Sequence, residues 1–145
     1  MSSYFRHAFS AIQEANLVLE VVDARFPTLM RNPQLERFLR NKKIPFIVVL
    51  NKMDLASGKS LEMGSYKSEQ VPAIPVSCVP KKNISRLRTM IFSRLEKGGK
   101  IAVIGYPNTG KSSLINALSG RHAAPTSRQA GFTQGRSFIR LREDV

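Results

Sequence analysis

The chain has 145 residues, and its 42% hydrophobic content is enough to bury one core, which excludes a disordered tail. Lys and Arg number 23 against 10 Asp and Glu, a net charge of +13. That balance points to an anionic partner, nucleic acid above all, with a merely basic surface as the alternative.

Apolar residues at Phe5, Ala8, Phe9 and Ile12 follow helical spacing. Leu17 to Val22 is a largely apolar, β-branched run that suits a buried strand. Asn32-Pro33 reads as an N-cap followed by Pro at the first helical position, with Leu35, Phe38 and Leu39 as the buried stripe. Phe46 to Leu50 is a second buried strand. Residues 56–70 are rich in Ser, Gly and Lys and predict a loop, with a loop containing a helical turn as the alternative. Ala73 to Val76 is a third, short strand despite Pro75.

A helix should follow Asn83, with Ile84, Leu87, Ile91 and Leu95 on one face, ended by Gly98-Gly99. Ile101 to Ile104 predicts a fourth strand, Lys111 to Leu118 a helix closed by Gly120, and Phe138 to Leu141 a last strand. Strands alternating with helices imply βαβ units and a parallel sheet, so the expected class is α/β with a single domain over residues 1–145. One cysteine, Cys78, excludes an internal disulfide and fits a reducing compartment. Met1 to His7 lacks a signal-peptide pattern, and the longest apolar run, Ile44 to Leu50, is too short to span a bilayer. A cytoplasmic protein with no membrane partner is expected.

Gly105-Tyr106-Pro107-Asn108-Thr109-Gly110-Lys111-Ser112 matches G-x-x-x-x-G-K-[ST] in full, between a predicted buried strand and a helix. The glycines let backbone N–H groups turn inward around phosphate oxygens, and the helix adds its positive end. Lys111 supplies charge to the outer phosphates, and the Ser112 hydroxyl is a candidate Mg²⁺ ligand. Asn108, Thr109, Gly110, Lys111, Ser112 and Ser113 are the expected phosphate contacts. A glycine-containing turn before a helix is the ordinary alternative, and the four fixed positions make it a poor one.

Asn51-Lys52-Met53-Asp54 follows a buried strand as an N-K-x-D tetrad. The Asp54 carboxylate can accept two hydrogen bonds from guanine N1–H and the 2-amino group, which adenine cannot offer. Asn51 can bond the other base edge and tether nearby loops, and the Lys52 stem can pack on the base face. Ser77-Cys78, after the third strand, is placed to offer a backbone N–H to guanine O6, although that pair alone carries little information. GDP or GTP is the ligand this set predicts.

The motifs stand in reversed order, N-K-x-D before the phosphate loop. In that arrangement the sequence resembles the circularly permuted GTPases of the YlqF/RbgA and YawG type, which assist ribosome assembly. Asp23-Ala24-Arg25-Phe26-Pro27 with Arg31-Asn32-Pro33, and Gly105 to Asn116, carry the resemblance. It implies a three-layer, Ras-like P-loop fold with a mostly parallel sheet, GTP hydrolysis, and a large-ribosomal-subunit or ribosomal RNA partner. Lys97-Gly98-Gly99-Lys100 would join the original termini.

Ala130-Gly131-Phe132-Thr133 aligns with the family's switch segment, making Thr133 a second candidate Mg²⁺ ligand, or else an exposed loop threonine. Asn108 matches an asparagine that helps hold an activating K⁺ in related GTPases, or is simply a turn former. Lys111, Asn108 and Thr133 are thus the catalytic candidates. No D-x-x-G follows the phosphate loop in this chain. Two readings of function result: the nucleotide-binding part of a ribosome-assembly GTPase, or a module that holds guanine nucleotide without hydrolysing it. A GTPase acting on another RNA is a third.

By the family's strand order, the D-x-x-G strand lies between the phosphate-loop strand and the switch strand. The sheet is therefore expected to be incomplete at its C-terminal end. Ile101 to Ile104 should keep an unpaired edge, Ser137 to Leu141 should lack its partner, and the chain should be mobile from about Arg121. The basic residues that motivate RNA binding are Lys42, Lys43, Lys81, Lys82, Arg86, Arg88, Arg94, Arg121, Arg128, Arg136, Arg140 and Arg142.

Overall fold

The computed structural model describes residues 9–10, 12–57, 63–95, 99–119 and 137–139. β1 (Leu17–Asp23) is buried along its whole length, which is why its sequence runs apolar instead of alternating. It lies at the centre of the sheet, parallel to β2 (Phe46–Asn51) on one side and to β6 (Ile101–Ile104) on the other. β3 (Ala73–Pro75) continues the sheet in parallel beyond β2 and is an edge strand, a place where Pro75 is tolerated. The full order is β3-β2-β1-β6-β7, with β7 at Ser137–Ile139.

Strand alternation divides the core into two layers. Leu17, Leu19, Val21, Ile47 and Val49 point to one face and pack with Leu87 and Ile91 of α4 (Ile84–Arg94) and Leu114, Ile115 and Leu118 of α5 (Lys111–Ser119). Val18, Val22, Val48 and Leu50 point to the other face. There they meet Leu35 and Leu39 of α2 (Pro33–Asn41) and Tyr66 of α3 (Met63–Ser68). A short helix, α1 (Pro27–Met30), and a 3₁₀ turn, Met53–Leu55, follow β1 and β2. A two-stranded antiparallel sheet pairs β4 (Ser77–Cys78) with β5 (Lys81–Lys82).

Local chemistry sets several boundaries as expected. The Asn32 side chain accepts a hydrogen bond from the Leu35 N–H at 3.1 Å, and Pro33 occupies the first turn of α2. Asn83 precedes α4 with φ +62°, a conformation asparagine tolerates, and its amide donates to the Pro75 carbonyl at 2.8 Å.

Four expectations are corrected. The 56–70 segment contains a six-residue helix, α3, because Tyr66 can bury its ring against the second layer. α4 ends at Arg94 rather than at the glycine pair, and Leu95 turns extended with its side chain still buried in the first layer. The β4–β5 hairpin was not anticipated. The phosphate-loop strand is not left with an open edge: β7 pairs with it directly and antiparallel, Ile101 opposite Ile139 and Val103 opposite Ser137. Open N–H and C=O groups of a buried strand attract whatever strand the chain can bring alongside. The expected helical residues Phe5 and Ala8 and the residues Gly98, Gly120, Arg121 to Arg136 and Arg140 to Val145 lie outside the described residues. No helix among the described residues is long and apolar enough to cross a membrane.

Leu87 is fully buried between α4 and the sheet. Leu87→Ala should destabilise the fold by about 3 kcal/mol in urea unfolding, while exposed Arg86→Ala should cost less than about 0.5 kcal/mol. A loss below about 1 kcal/mol for Leu87→Ala would show that α4 is not seated as described.

Candidate nucleotide-binding site

β6 delivers the phosphate loop into close quarters. A Cβ on Gly105 would stand 2.6 Å from the Val21 carbonyl oxygen, so only glycine fits. Thr109 is buried and its hydroxyl donates to the Tyr106 carbonyl at 2.9 Å, closing the loop on itself. Asn108 and Gly110 hold φ of +68° and +89°. α5 then starts at Lys111, with Ser112 buried and Ser113 exposed. The Lys111 ammonium is nearly enclosed and donates to the carbonyls of Gly105 at 2.6 Å and Tyr106 at 3.1 Å. Burial lowers its pKa to about 8.

The second motif reaches over this loop because of strand register. Ile104, the last residue of β6, lies level with Glu20, whereas Asn51 of β2 lies level with Asp23. β2 therefore extends about 10 Å further along the sheet. The buried Asn51 amide donates to the Thr109 carbonyl at 2.9 Å and to that of Gly110 at 3.5 Å. A Cβ on Gly110 would sit 2.4 Å from the Asn51 Nδ2 atom. Gly110 is thus required twice, by its φ and by this contact.

Lys52, itself at φ +64°, donates from Nζ to the Asn108 carbonyl at 2.6 Å. Asp54 is exposed, and one of its oxygens accepts a hydrogen bond from the buried Ser77 hydroxyl at 3.1 Å. The Cys78 thiol lies 3.6 Å from the Asn51 Oδ1 atom, and burial, with the Asp54 charge second, pushes its pKa up. The fold thus gathers Asn51, Lys52, Asp54, Ser77, Cys78 and Asn108 to Ser112 at one end of the sheet. Thr133 lies outside the described residues.

Asp23, noted in the sequence only as part of a signature, belongs to this assembly. Its buried carboxylate is forked by Arg25 through bonds of 3.0 Å and 2.8 Å, and it stands 3.7 Å from the Lys52 ammonium. The Arg25 hydrogen bond, foremost, holds its pKa below the ordinary value. An acid at the end of a buried, largely apolar strand was the available signal.

Comparison with known proteins bears on this arrangement. A family model described as 50S ribosome-binding GTPase matches residues 100–145. A GTP-binding protein of Methanocaldococcus jannaschii is 39% identical over 141 residues, covering 92% of this chain and 37% of its own length. Ribosome biogenesis GTPase A of Priestia megaterium is 28% identical over 161 residues, covering 100% of this chain and 55% of its own. The crystal structure of GNP-bound YlqF from T. maritima superimposes with a TM-score of 0.67 at 25% identity, over 84% of this chain and 50% of that one.

The chain resembles the YlqF/RbgA-type ribosome biogenesis GTPases along its whole length in sequence and over most of it in fold. Its fold is the P-loop GTPase fold of YlqF, with the N-K-x-D strand preceding the phosphate-loop strand. The chain spans between 37% and 55% of the length of these two curated relatives.

A buried acidic pair adjoins the phosphate loop, and sequence reasoning missed it. Glu20, in the middle of β1, accepts a hydrogen bond from the Asn32 N–H at 2.8 Å. Burial, then the Glu36 charge, then a hydrogen bond with Glu36 raise its pKa well above 4.5. Glu36 is also buried and takes a forked contact from Arg31 at 2.7–3.0 Å. Arg31 in turn stacks on Tyr66, 4.7 Å from the ring centre, and pairs with Glu69. A cavity of ≈10 Å³ beside Glu20 is walled by Gly105, Tyr106 and Asn32. Burial, with the Glu36 charge second, favours the protonated form of Glu20.

Because the folded state keeps that proton where the unfolded chain releases it, the pair's stability contribution is complete below pH 4.5 and declines as pH rises through the folded value. Glu20→Gln keeps the oxygen that accepts from Asn32 and supplies a fixed donor for Glu36. It should therefore stabilise the domain at neutral pH, on the order of 1 kcal/mol, and flatten this part of the pH profile. Thermal melts from pH 4 to 8 would show it, and a destabilised variant at pH 7 would contradict it.

Proposed function

We propose that this chain binds GDP and GTP in the described cradle, with guanine read by Asp54, and that the protein serves large ribosomal subunit assembly. The observation that carries the reading is the Asn51 amide bonded across to Thr109 and Gly110. It fixes the base-reading turn against the phosphate loop at a set separation. Ser77 aims the Asp54 carboxylate, leaving its second oxygen to a base edge. Lys111 exchanges its two carbonyl partners for the outer phosphates.

Ser112, a hard oxygen donor buried at the head of α5 beside Lys111, is the first proposed ligand of a Mg²⁺ that would also take nucleotide phosphate oxygens. Thr133 is the second proposed ligand, and the metal would neutralise phosphate charge. Asn108, at φ +68° and with its carbonyl taken by Lys52, is the proposed K⁺ residue. The relatives named as ribosome biogenesis GTPases support the assembly role. The chain's +13 charge supports an RNA partner there. Turnover at saturating GTP distinguishes a hydrolase from a module that only holds nucleotide.

Calorimetry should give GDP a far lower Kd than ADP, and Asp54→Asn should weaken GDP and favour xanthosine diphosphate, whose edge has the opposite hydrogen-bond need. Equal affinities for GDP and ADP would overturn the reading.

The Lys111 pKa of about 8 gives a second test. Phosphate next to the ammonium favours its charged form, so nucleotide binding above pH 8 must take up a proton. Affinity should fall as pH rises past 8, by up to about tenfold per unit. Calorimetry at pH 8.5 in two buffers of different ionisation enthalpy counts the proton, and a count of zero would contradict the burial of Lys111.

A further inference from the structure

The two helical layers carry charge differently. From Gln70 to Leu95 the sequence holds Lys81, Lys82, Arg86, Arg88 and Arg94 and no Asp or Glu. α5 adds no acid to that layer. The opposite layer contains Glu36 and Glu69, both paired with Arg31. Lys81, Lys82 and Arg86 are exposed and make no ion pair among the described residues.

These cations converge on rigid elements. Lys81 and Arg86, with Asn83 and Ser85, line a groove of ≈450 Å³ closed on its far side by Ala117 and Leu118. Arg88 also borders it, but turns inward. Its guanidinium donates to the Leu118 carbonyl and stacks on Phe92, bracing α4 against α5. Lys82 is fixed by its pairing with Ser77 across the β4–β5 hairpin. Grouped cations without a carboxylate repel one another, and a polyanion relieves that repulsion. The Lys81 ammonium and the Arg86 guanidinium fork at the groove, with Lys82 on the other face of the same strand, suit successive phosphate oxygens of a nucleic-acid strand. Among the described residues, no aromatic side chain lines the groove to stack on a base.

We propose that the β4–β5 hairpin and the head of α4 form a docking surface for an RNA sugar-phosphate backbone, read by charge and not by sequence. The proposal rests on the assembly role above and names the surface through which that role meets RNA. It separates the RNA face from the α2–α3 face, where the cations are partly matched by acids.

The full chain carrying Lys81→Ala, Lys82→Ala and Arg86→Ala is compared with one carrying Lys42→Ala, Lys43→Ala and Lys67→Ala, three exposed cations of the other layer. Both lose the same charge. Binding to purified large-subunit ribosomal RNA, poly(U) and polyglutamate is measured across a salt series, with GDP affinity and thermal melts on the same samples.

The hairpin variant should lose RNA affinity and flatten the slope of log K against log salt by roughly 2, at about 0.7 per single-strand phosphate contact. The loss should be the same with poly(U), and the second variant should change much less. GDP affinity and melting should stay at the unmutated values. Equal losses in both variants would overturn the surface, as would an unaffected hairpin variant, or polyglutamate bound as tightly as RNA. Absence of RNA binding by the unmutated chain overturns it as well. Absence of GDP binding by the unmutated chain instead overturns the nucleotide reading.

Discussion

The site depends on one constraint: the end of β2 must lie against the phosphate loop without a side chain between them. The Asn51 amide meets the loop's carbonyls at Thr109 and Gly110, and it can do so only because Gly110 has no Cβ. The positive φ at Asn108 and Gly110 turns the loop. Buried backbone carbonyls need partners, and here the partner comes from the other motif. Two stretches more than fifty residues apart in sequence thereby become one cradle.

This explains why chain order matters little to the site. β1 separates the two motif-bearing strands and pairs with each in parallel, so both loops emerge on the same edge of the sheet whichever motif comes first. The β1 end contributes as well. Asp23 sits level with Asn51 and places a carboxylate between Arg25 and Lys52, holding that lysine where its ammonium reaches Asn108.

Burial tunes the charged groups of this region in opposite directions. Lys111 loses charge stability because its ammonium is enclosed. Glu20 is pushed toward its neutral form by burial first and by the Glu36 charge second. Both effects come from low-polarity surroundings that favour the neutral form. Phosphate would reverse the first, whereas the second is locked under α2 by the Asn32 N–H and the Arg31–Glu36 fork. The acidic cluster therefore acts on the architecture of the β1–α2 turn and the wall of the phosphate loop.

The sequence by itself determined whatever is fixed by neighbours along the chain. Gly105 to Ser112 was legible because a phosphate loop demands particular backbone freedoms at set spacings. The Asn32-Pro33 helix start was legible because a cap bonds within three residues. The buried strands β1, β2 and β6 were legible because covering both faces removes the polar alternation. Tertiary structure decided the rest. That Asp23 meets Lys52, that Glu20 meets Glu36, and that Arg88 turns inward to Leu118 all follow from strand register and helix packing, which no local pattern encodes. The β4–β5 hairpin escaped because strands of two residues show no period. The pairing of β7, though not the strand itself, escaped because strand pairing is a contest between distant segments, settled by which one can satisfy the open edge of β6.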